Sequence, residues 1–391
     1  MKKNFINQKN FFNKKVLNQK LILKNNRIYN KIFYQLIQNI YNNKKTLNIL
    51  SNTFKFNFNS TDLKRFKKFK TIAMIGMGGS ILGAQAIYSF LKKKIRKKII
   101  FFDNLNDDKI KNFQKNTEKR KTLFLVISKS GNTIETITNL RQLKILKKNT
   151  KNIIIISEKS KNLLFSISRK YNLKFIEHKK HVGGRYSVLS EVGMLPALLM
   201  GVDTRKIRLN LELYFKSNKK FLLKQSSITL ANLLYKKKLQ NIIFLNYIPE
   251  LEKFLFWCQQ LIAESLGKKG KGFLPVVSNV PKDHHSLLQL YLDGPRDKLF
   301  YIFSLKNKNK NKKNNLNLVK DAQIRSLKKI LIEKNIPFRE FTLNKISEET
   351  IGQLFSYFIL ETVIVGKLTK INPFDQPAVE QIKNLTKKFL N

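Results

Sequence analysis

The sequence predicts an α/β protein: two tandem α/β sandwich domains with parallel sheets, plus helical N- and C-terminal additions. Three observations predict it. Short runs rich in Ile, Phe and Val alternate with stretches of helical spacing, and this alternation occurs twice. Each run is continuously apolar rather than alternating, as in parallel strands covered on both faces. Helical patterning without such runs precedes the first alternation and follows the last strand of the second.

Taken in order, Ile28, Ile32, Phe33, Leu36, Ile37 and Ile40 recur at helical spacing, so a helical segment is expected within residues 1–66. The runs "TIAMIG", "KIIFFD", "TLFLVIS", "NIIIIS" and "LKFIE", followed by a helical region from Ser187 to about Lys216, predict a first domain over 67–216. A second domain over 217–391 is expected from "NIIFLN", a helix to Glu264, "GFLPVVS", "KLFYIFSL", a helix after Val319, "FREFTL" and a helix through "SYFILETVIVG". The insert "NKNKNKKNNLN" at Asn307–Asn317 falls between strand and helix, where a surface loop is least costly.

The chain has 391 residues, enough for one large core or two ordinary ones. No apolar stretch approaches the roughly 18–20 residues that cross a bilayer, so no membrane partner is expected. Cys258 is the single cysteine, which excludes an intramolecular disulfide framework and suits a reducing, cytoplasmic compartment. The net charge of +52 invites a nucleic-acid reading. Yet the excess is mostly lysine and runs along the whole chain, whereas specific readout leans on arginine. A drift in composition explains it better than a dedicated nucleic-acid partner does.

Two turns are candidates for anion binding. "IGMGGSILG" at Ile75–Gly83 ends a strand and opens a helix, with Ser80 inside it. It lacks the third glycine of a dinucleotide fingerprint, since Ile81 stands there. "SKSGNTIET" at Ser128–Thr136 offers the hydroxyls of Ser128, Ser130 and Thr133, the ammonium of Lys129 and the permissive Gly131. Asn132 or Ser130 could simply cap the following helix. One cap needs one polar residue, and this turn supplies several, which favours an anion nest. Turns after neighbouring strands would also converge on one crevice.

Other clusters carry possible chemistry. In "HVGGRYSVLSEVG", Arg185 follows two glycines, which lets backbone crowd a ligand beside a fixed cation. In "WCQQLIAESLGKKGKGFLPV", Gln260 and Glu264 lie one helical turn apart on one face. "VPKDHHSLLQLYLDGPRD" places His284 and His285 at a helix start, where a histidine is a general acid/base or a cap. Together with His178 and His181 they are a poor zinc set, because no acid or cysteine joins them at ligand spacing.

Six ordered blocks, "IGMGGSILG", "SKSGNTIET", "GGRYSVLSEVG", "AESLGKKG", "DHHSLLQLYLDGP" and "INPFDQPAVEQIK", together resemble the glucose-6-phosphate isomerase (phosphoglucose isomerase) family from Ile75 to Lys383. The resemblance implies two sugar-isomerase (SIS) domains and no metal or organic cofactor. It implies a sugar-phosphate pocket at Ser80, Ser128, Lys129, Ser130 and Thr133, and substrate positioning by Gln260 and Gln376. Glu264 would carry the proton between C1 and C2, and Arg185 would stabilise the cis-enediolate. His285 would open the sugar ring from the neighbouring subunit of a homodimer, assisted by Lys383. Leu266 and Ile382 stand where the family usually has asparagine and glycine, and neither replaces a matched site residue.

The implied activity is reversible isomerisation of glucose 6-phosphate and fructose 6-phosphate, an aldose–ketose conversion of glycolysis and gluconeogenesis. A non-enzymatic SIS-type sugar-phosphate sensor would need the phosphate turns but not Glu264, His285 and Lys383 together. A variant that also accepts mannose 6-phosphate is not distinguished by the sequence.

Overall fold

The computed structural model describes residues 5–12, 17–236, 239–306 and 315–390. Most of the lysine–asparagine insert, residues 307–314, lies outside the described residues. Among the described residues, ten strands form two five-stranded sheets. They are β1 (Ile6–Phe11), β2 (Thr71–Ile75), β3 (Lys98–Phe102), β4 (Thr122–Ile127), β5 (Ile153–Ser157), β6 (Lys174–Glu177), β7 (Asn241–Asn246), β8 (Leu274–Asn279), β9 (Lys298–Leu305) and β10 (Phe338–Leu343).

The first sheet has the order β3-β2-β4-β5-β6 and is parallel throughout. The second runs β1-β10-β9-β7-β8. Its last four strands are parallel and repeat the strand order of the first sheet, with β7 and β9 at the centre. The exception to the parallel expectation is β1, which closes the β10 edge antiparallel with Ile6 opposite Leu343. That strand comes from the stretch expected to be helical; the helix found there spans Gln19–Tyr41.

Continuous apolar strands sort their side chains by parity, because successive residues point to opposite faces. Ile72, Met74, Leu123, Leu125 and Ile154 enter one large core. Ala73, Ile75, Phe124, Val126 and Ile153 enter a second, on the other face of the same sheet. The large core extends without a break to Phe244, Tyr301, Phe303 and Phe341 of the second sheet, so one apolar mass joins the inner faces of both.

Between the sheets run helices Leu82–Leu91, Glu252–Leu266 and Glu348–Leu368. Trp257 meets Phe355 edge-on with ring centroids 4.8 Å apart, and Phe254 packs on both Phe355 and Phe358. These contacts fix the rotation of helix Glu252–Leu266, leaving Gln260 and Glu264 on its less buried face. Contrary to the sequence reading, Glu348–Leu368 is long and apolar enough to cross a membrane, but 94% of its apolar window is buried inside the protein. It is the central helix of the core.

Candidate active site

The strand order of the first sheet sets the position of the site. After β2 the chain moves outward to β3, then crosses back to β4 on the other side of β2. Connections from β2 and β4 therefore leave in opposite directions, and a crevice opens beyond the carboxyl ends of these neighbours. The one-turn helix Gly78–Ser80 follows β2, and the Ser128–Thr133 turn follows β4. Both candidate anion turns thus border one crevice, as the sequence suggested.

Within the second turn, the hydroxyls of Ser128 and Thr133 lie 2.8 Å apart, and Ser128 is buried. Gly131 has φ +67°, and an added Cβ would fall 1.8 Å from Asn162 Oδ1. No side chain can stand there, so the backbone curls tightly. Helix Ile134–Gln142 starts here with Thr133 at its N-cap, yet no side chain caps it. Ser130 Oγ accepts instead from the amide of Asn132, and Asn132 Oδ1 accepts from the amide of Leu163 in another helix. The capping role expected of this turn is therefore absent for its own helix, which leaves amide donors and the positive helix end available to an anion. Lys129 stands 3.7 Å from Glu158; burial lowers its pKa, and the nearby carboxylate opposes that shift.

The first turn touches the arginine loop. A Cβ on Gly79 would sit 2.3 Å from the carbonyl carbon of Gly184, so only glycine permits this backbone approach. It brings Arg185, on the 3₁₀ segment Gly184–Leu189, up to the end of helix Glu252–Leu266.

All five guanidinium N–H groups of Arg185 find acceptors. Nε donates to Ser265 Oγ at 2.9 Å. Nη1 donates to Glu264 Oε2 at 3.0 Å and Gln376 Oε1 at 2.8 Å. Nη2 donates to the carbonyls of Pro373 and Asp375 at 2.7 and 2.9 Å. Glu264 is held on its other oxygen by Gln260 Nε2 at 3.0 Å. Gln260 Oε1 is buried and has no hydrogen-bond partner among the described residues, an acceptor to which a ligand hydroxyl could donate. Four predicted residues, Arg185, Gln260, Glu264 and Gln376, therefore form one hydrogen-bonded set.

His285 and Lys383 are not part of that set. His285 is exposed at the head of helix His284–Asp293, which follows β8 of the second sheet. Lys383 lies on helix Pro377–Leu390, which has no buried residue, and pairs with Glu380 at 2.8 Å. His178 and His284 bond within the protein instead. His178 is buried, bonds through Nε2 to Val182 O at 3.1 Å, and has its pKa pushed down by burial to about 3. His284 bonds to the Tyr247 hydroxyl at 3.1 Å.

Three residues at the site were not singled out from the sequence. Tyr186 and Ser265 adjoin Arg185 and Glu264 in the chain, and their hydroxyls lie 2.9 Å apart. Lys268 grips the segment before Gln376, with Nζ at 2.5 Å from Asn372 O and 2.9 Å from Asp375 Oδ1. Their adjacency to matched residues was the one available signal; a tyrosine in an apolar segment reads as core.

Comparison with known proteins gives the geometry a family. A phosphoglucose isomerase family model matches residues 37–272. A probable glucose-6-phosphate isomerase of Methanococcus maripaludis is 34% identical over 349 residues, covering 83% of this chain and 79% of the relative. The chain belongs to the phosphoglucose isomerase family. A glucose-6-phosphate isomerase of Campylobacter jejuni is 30% identical over 353 residues, covering 82% of this chain and 86% of the relative. Among solved structures, a hypothetical protein of Thermus thermophilus matches with TM-score 0.80 at 23% identity, over 98% of this chain and 100% of the other. A glucose-6-phosphate isomerase of Chlamydia trachomatis matches at TM-score 0.68 and 20% identity, over 85% and 71% of the two chains. These two share the fold of this phosphoglucose isomerase family member, the paired SIS-type sandwich.

Proposed function

We propose that this protein interconverts D-glucose 6-phosphate and D-fructose 6-phosphate through a cis-enediolate, without metal or organic cofactor. It is an aldose–ketose isomerase. The observation carrying the assignment of roles is the Arg185–Glu264 contact of 3.0 Å, in a crevice bordered by the uncapped Ser128–Thr133 turn.

The phosphate sits among Ser80, Ser128, Ser130 and Thr133, with Lys129 supplying charge at the same turn. Held there, the sugar's reacting end extends towards Glu264, and binding energy from the phosphate orients it. Glu264 removes the proton from C2 of the aldose. The C–H electron pair becomes the C1–C2 double bond of the enediolate, and negative charge collects on the carbonyl oxygen. Arg185 faces that charge from a site where its guanidinium needs no reorganisation. The C2 hydroxyl then gives its proton to the C1 oxygen, and the C2–O bond becomes the ketone carbonyl. The electron pair of the C1–C2 double bond takes the proton back from Glu264 at C1, which completes the ketose. Gln260 and Gln376 hold hydroxyls in register. Ring opening precedes these steps and requires acid–base groups at the ring oxygen. His285 contributed by the second subunit of a homodimer, with Lys383, fills that role. The buried lone cysteine agrees with a cytoplasmic setting.

The test is conversion of fructose 6-phosphate by the purified protein, followed by a coupled assay of glucose 6-phosphate. The wild type should turn over, and Glu264→Gln should not. Absence of turnover in the wild type would remove the assignment.

A further inference from the structure

We infer that Tyr186 and Ser265 are positioning residues for the isomerisation, holding the Arg185 guanidinium to the Pro373–Gln376 segment so that its charge is fixed where the enediolate forms. The inference rests on the proposed isomerase reading.

The geometry is that of a closed buried clamp. The Tyr186 hydroxyl is 2.8 Å from Pro373 O and 2.9 Å from Ser265 Oγ. The Tyr186 hydroxyl donates to Pro373 O and accepts from Ser265, and the same two oxygens accept from Arg185 Nη2 at 2.7 Å and Nε at 2.9 Å. Tyr186 and Arg185 therefore bind one pair of atoms from two sides. Tyr186 and Ser265 are fully buried and Arg185 is 3% exposed, so water does not substitute for either hydroxyl. The guanidinium carbon also lies 5.3 Å from the centroid of the Tyr186 ring, within reach of a cation–π contact. Lys268 fixes the same segment from the other side through Asn372 O and Asp375.

A guanidinium with five satisfied donors is preorganised, and a preorganised cation stabilises developing charge without the cost of turning towards it. With Tyr186→Phe the clamp loses the hydroxyl that joins Ser265 to Pro373, while the ring and its packing remain. With Ser265→Ala, Nε loses its acceptor, and the guanidinium can rotate about the Nη1 and Nη2 bonds. Neither hydroxyl needs to touch substrate for this effect.

The experiment measures kcat and KM for fructose 6-phosphate in Tyr186→Phe, Ser265→Ala, Arg185→Lys and the double variant Tyr186→Phe/Arg185→Lys. It also measures binding of two unreactive probes: a phosphosugar hydroxamate mimicking the enediolate and a phosphosugar alcohol resembling only the ground state. We expect about a tenfold loss of kcat in Tyr186→Phe and Ser265→Ala at nearly unchanged KM, a loss of hydroxamate affinity of similar size, and unchanged affinity for the alcohol. In the Arg185→Lys background, Tyr186→Phe should cost little more, because the two act as a unit. Full kcat with only a lowered melting temperature, equal weakening of both probes, or full additivity in the double variant would each overturn the inference. A wild type that binds both probes but does not convert fructose 6-phosphate would overturn the isomerase reading instead.

Discussion

Arg185 and Glu264 meet at 3.0 Å, yet the arginine side chain is 3% exposed and the glutamate 31%. The pair is one-sided: its cation is part of the protein wall and its carboxylate opens on the crevice. Glu264 also sits in the last turn of its helix, where unsatisfied carbonyls carry partial negative charge. The fixed cation offsets that unfavourable field while leaving the carboxylate reachable by a substrate.

Glu264→Gln should reduce kcat by about 10²–10⁴-fold, the usual contribution of a positioned general base. The amide retains an oxygen for Arg185, so the melting temperature should move little. A coupled assay and a thermal melt on the same preparation separate loss of chemistry from loss of fold. A variant as active as the wild type would remove the proton-transfer role.

Ser128→Ala removes a buried hydroxyl 2.8 Å from that of Thr133. If this turn grips the phosphate, KM for fructose 6-phosphate should rise about tenfold, a loss of roughly 1.4 kcal/mol of binding. Competitive inhibition by inorganic phosphate should weaken in parallel. An unchanged inhibition constant would assign the phosphate elsewhere.

Mixing two inactive proteins tests whether the site is shared between subunits. Glu264→Gln keeps His285, and His285→Ala keeps Glu264. In a mixed dimer one of the two sites would unite an intact Glu264 with an intact His285. Unfolding and refolding the mixture together should restore a fraction of wild-type activity. No recovery, with mixed dimers demonstrated by mass, would place both groups in the same subunit's site.

His178 should make the fold sensitive to acid. Burial pushes its pKa from 6.5 to about 3 in the folded state, with Lys129, His181 and Lys179 adding to the depression and the Val182 carbonyl opposing it. Below pH 6.5 the unfolded chain takes up a proton there that the folded one does not. Its contribution is therefore complete above about pH 6.5 and is lost as pH falls towards 3. Thermal melts of the wild type and His178→Gln between neutrality and pH 4 or so should show a shallower acid slope in the variant. Parallel slopes would mean that other groups dominate acid unfolding.

Truncation after Gln376 should leave the fold intact, because helix Pro377–Leu390 buries no residue. The exposed Lys383–Glu380 pair contributes roughly 0–1 kcal/mol at most. Activity on the ring-closed sugar should nevertheless fall if Lys383 assists ring opening. Equal activity of truncated and full-length protein would take Lys383 out of the mechanism.

The central strands were legible because parallel strands buried on two faces are apolar at nearly every position. "TLFLVI" is buried at all six residues of β4, so no periodicity had to be decoded. The opposite holds for β1. "INQKNF" is polar, only Ile6 is buried, and its partners in β10 lie far along the chain. Nothing local marks an edge strand of that kind. At the site, helical spacing put Gln260 and Glu264 on one face of a helix, but not what they do. The convergence of Arg185 and Gln376 on them depends on Gly79 meeting Gly184 and on the Pro373–Gln376 segment, contacts with no local signature. The resemblance to a family supplied what spacing could not.

The pairing of β1 with β10 also bears on how the protein is made. Ile6–Phe11 leaves the ribosome roughly 330 residues before the strand it pairs with, and a loop of that length must close before they meet. The first sheet, whose strands all lie between Thr71 and Glu177, can assemble meanwhile. Through much of synthesis the β1 segment is a waiting strand without an edge to join, and its polar, lysine-bearing sequence keeps it from finding the wrong one.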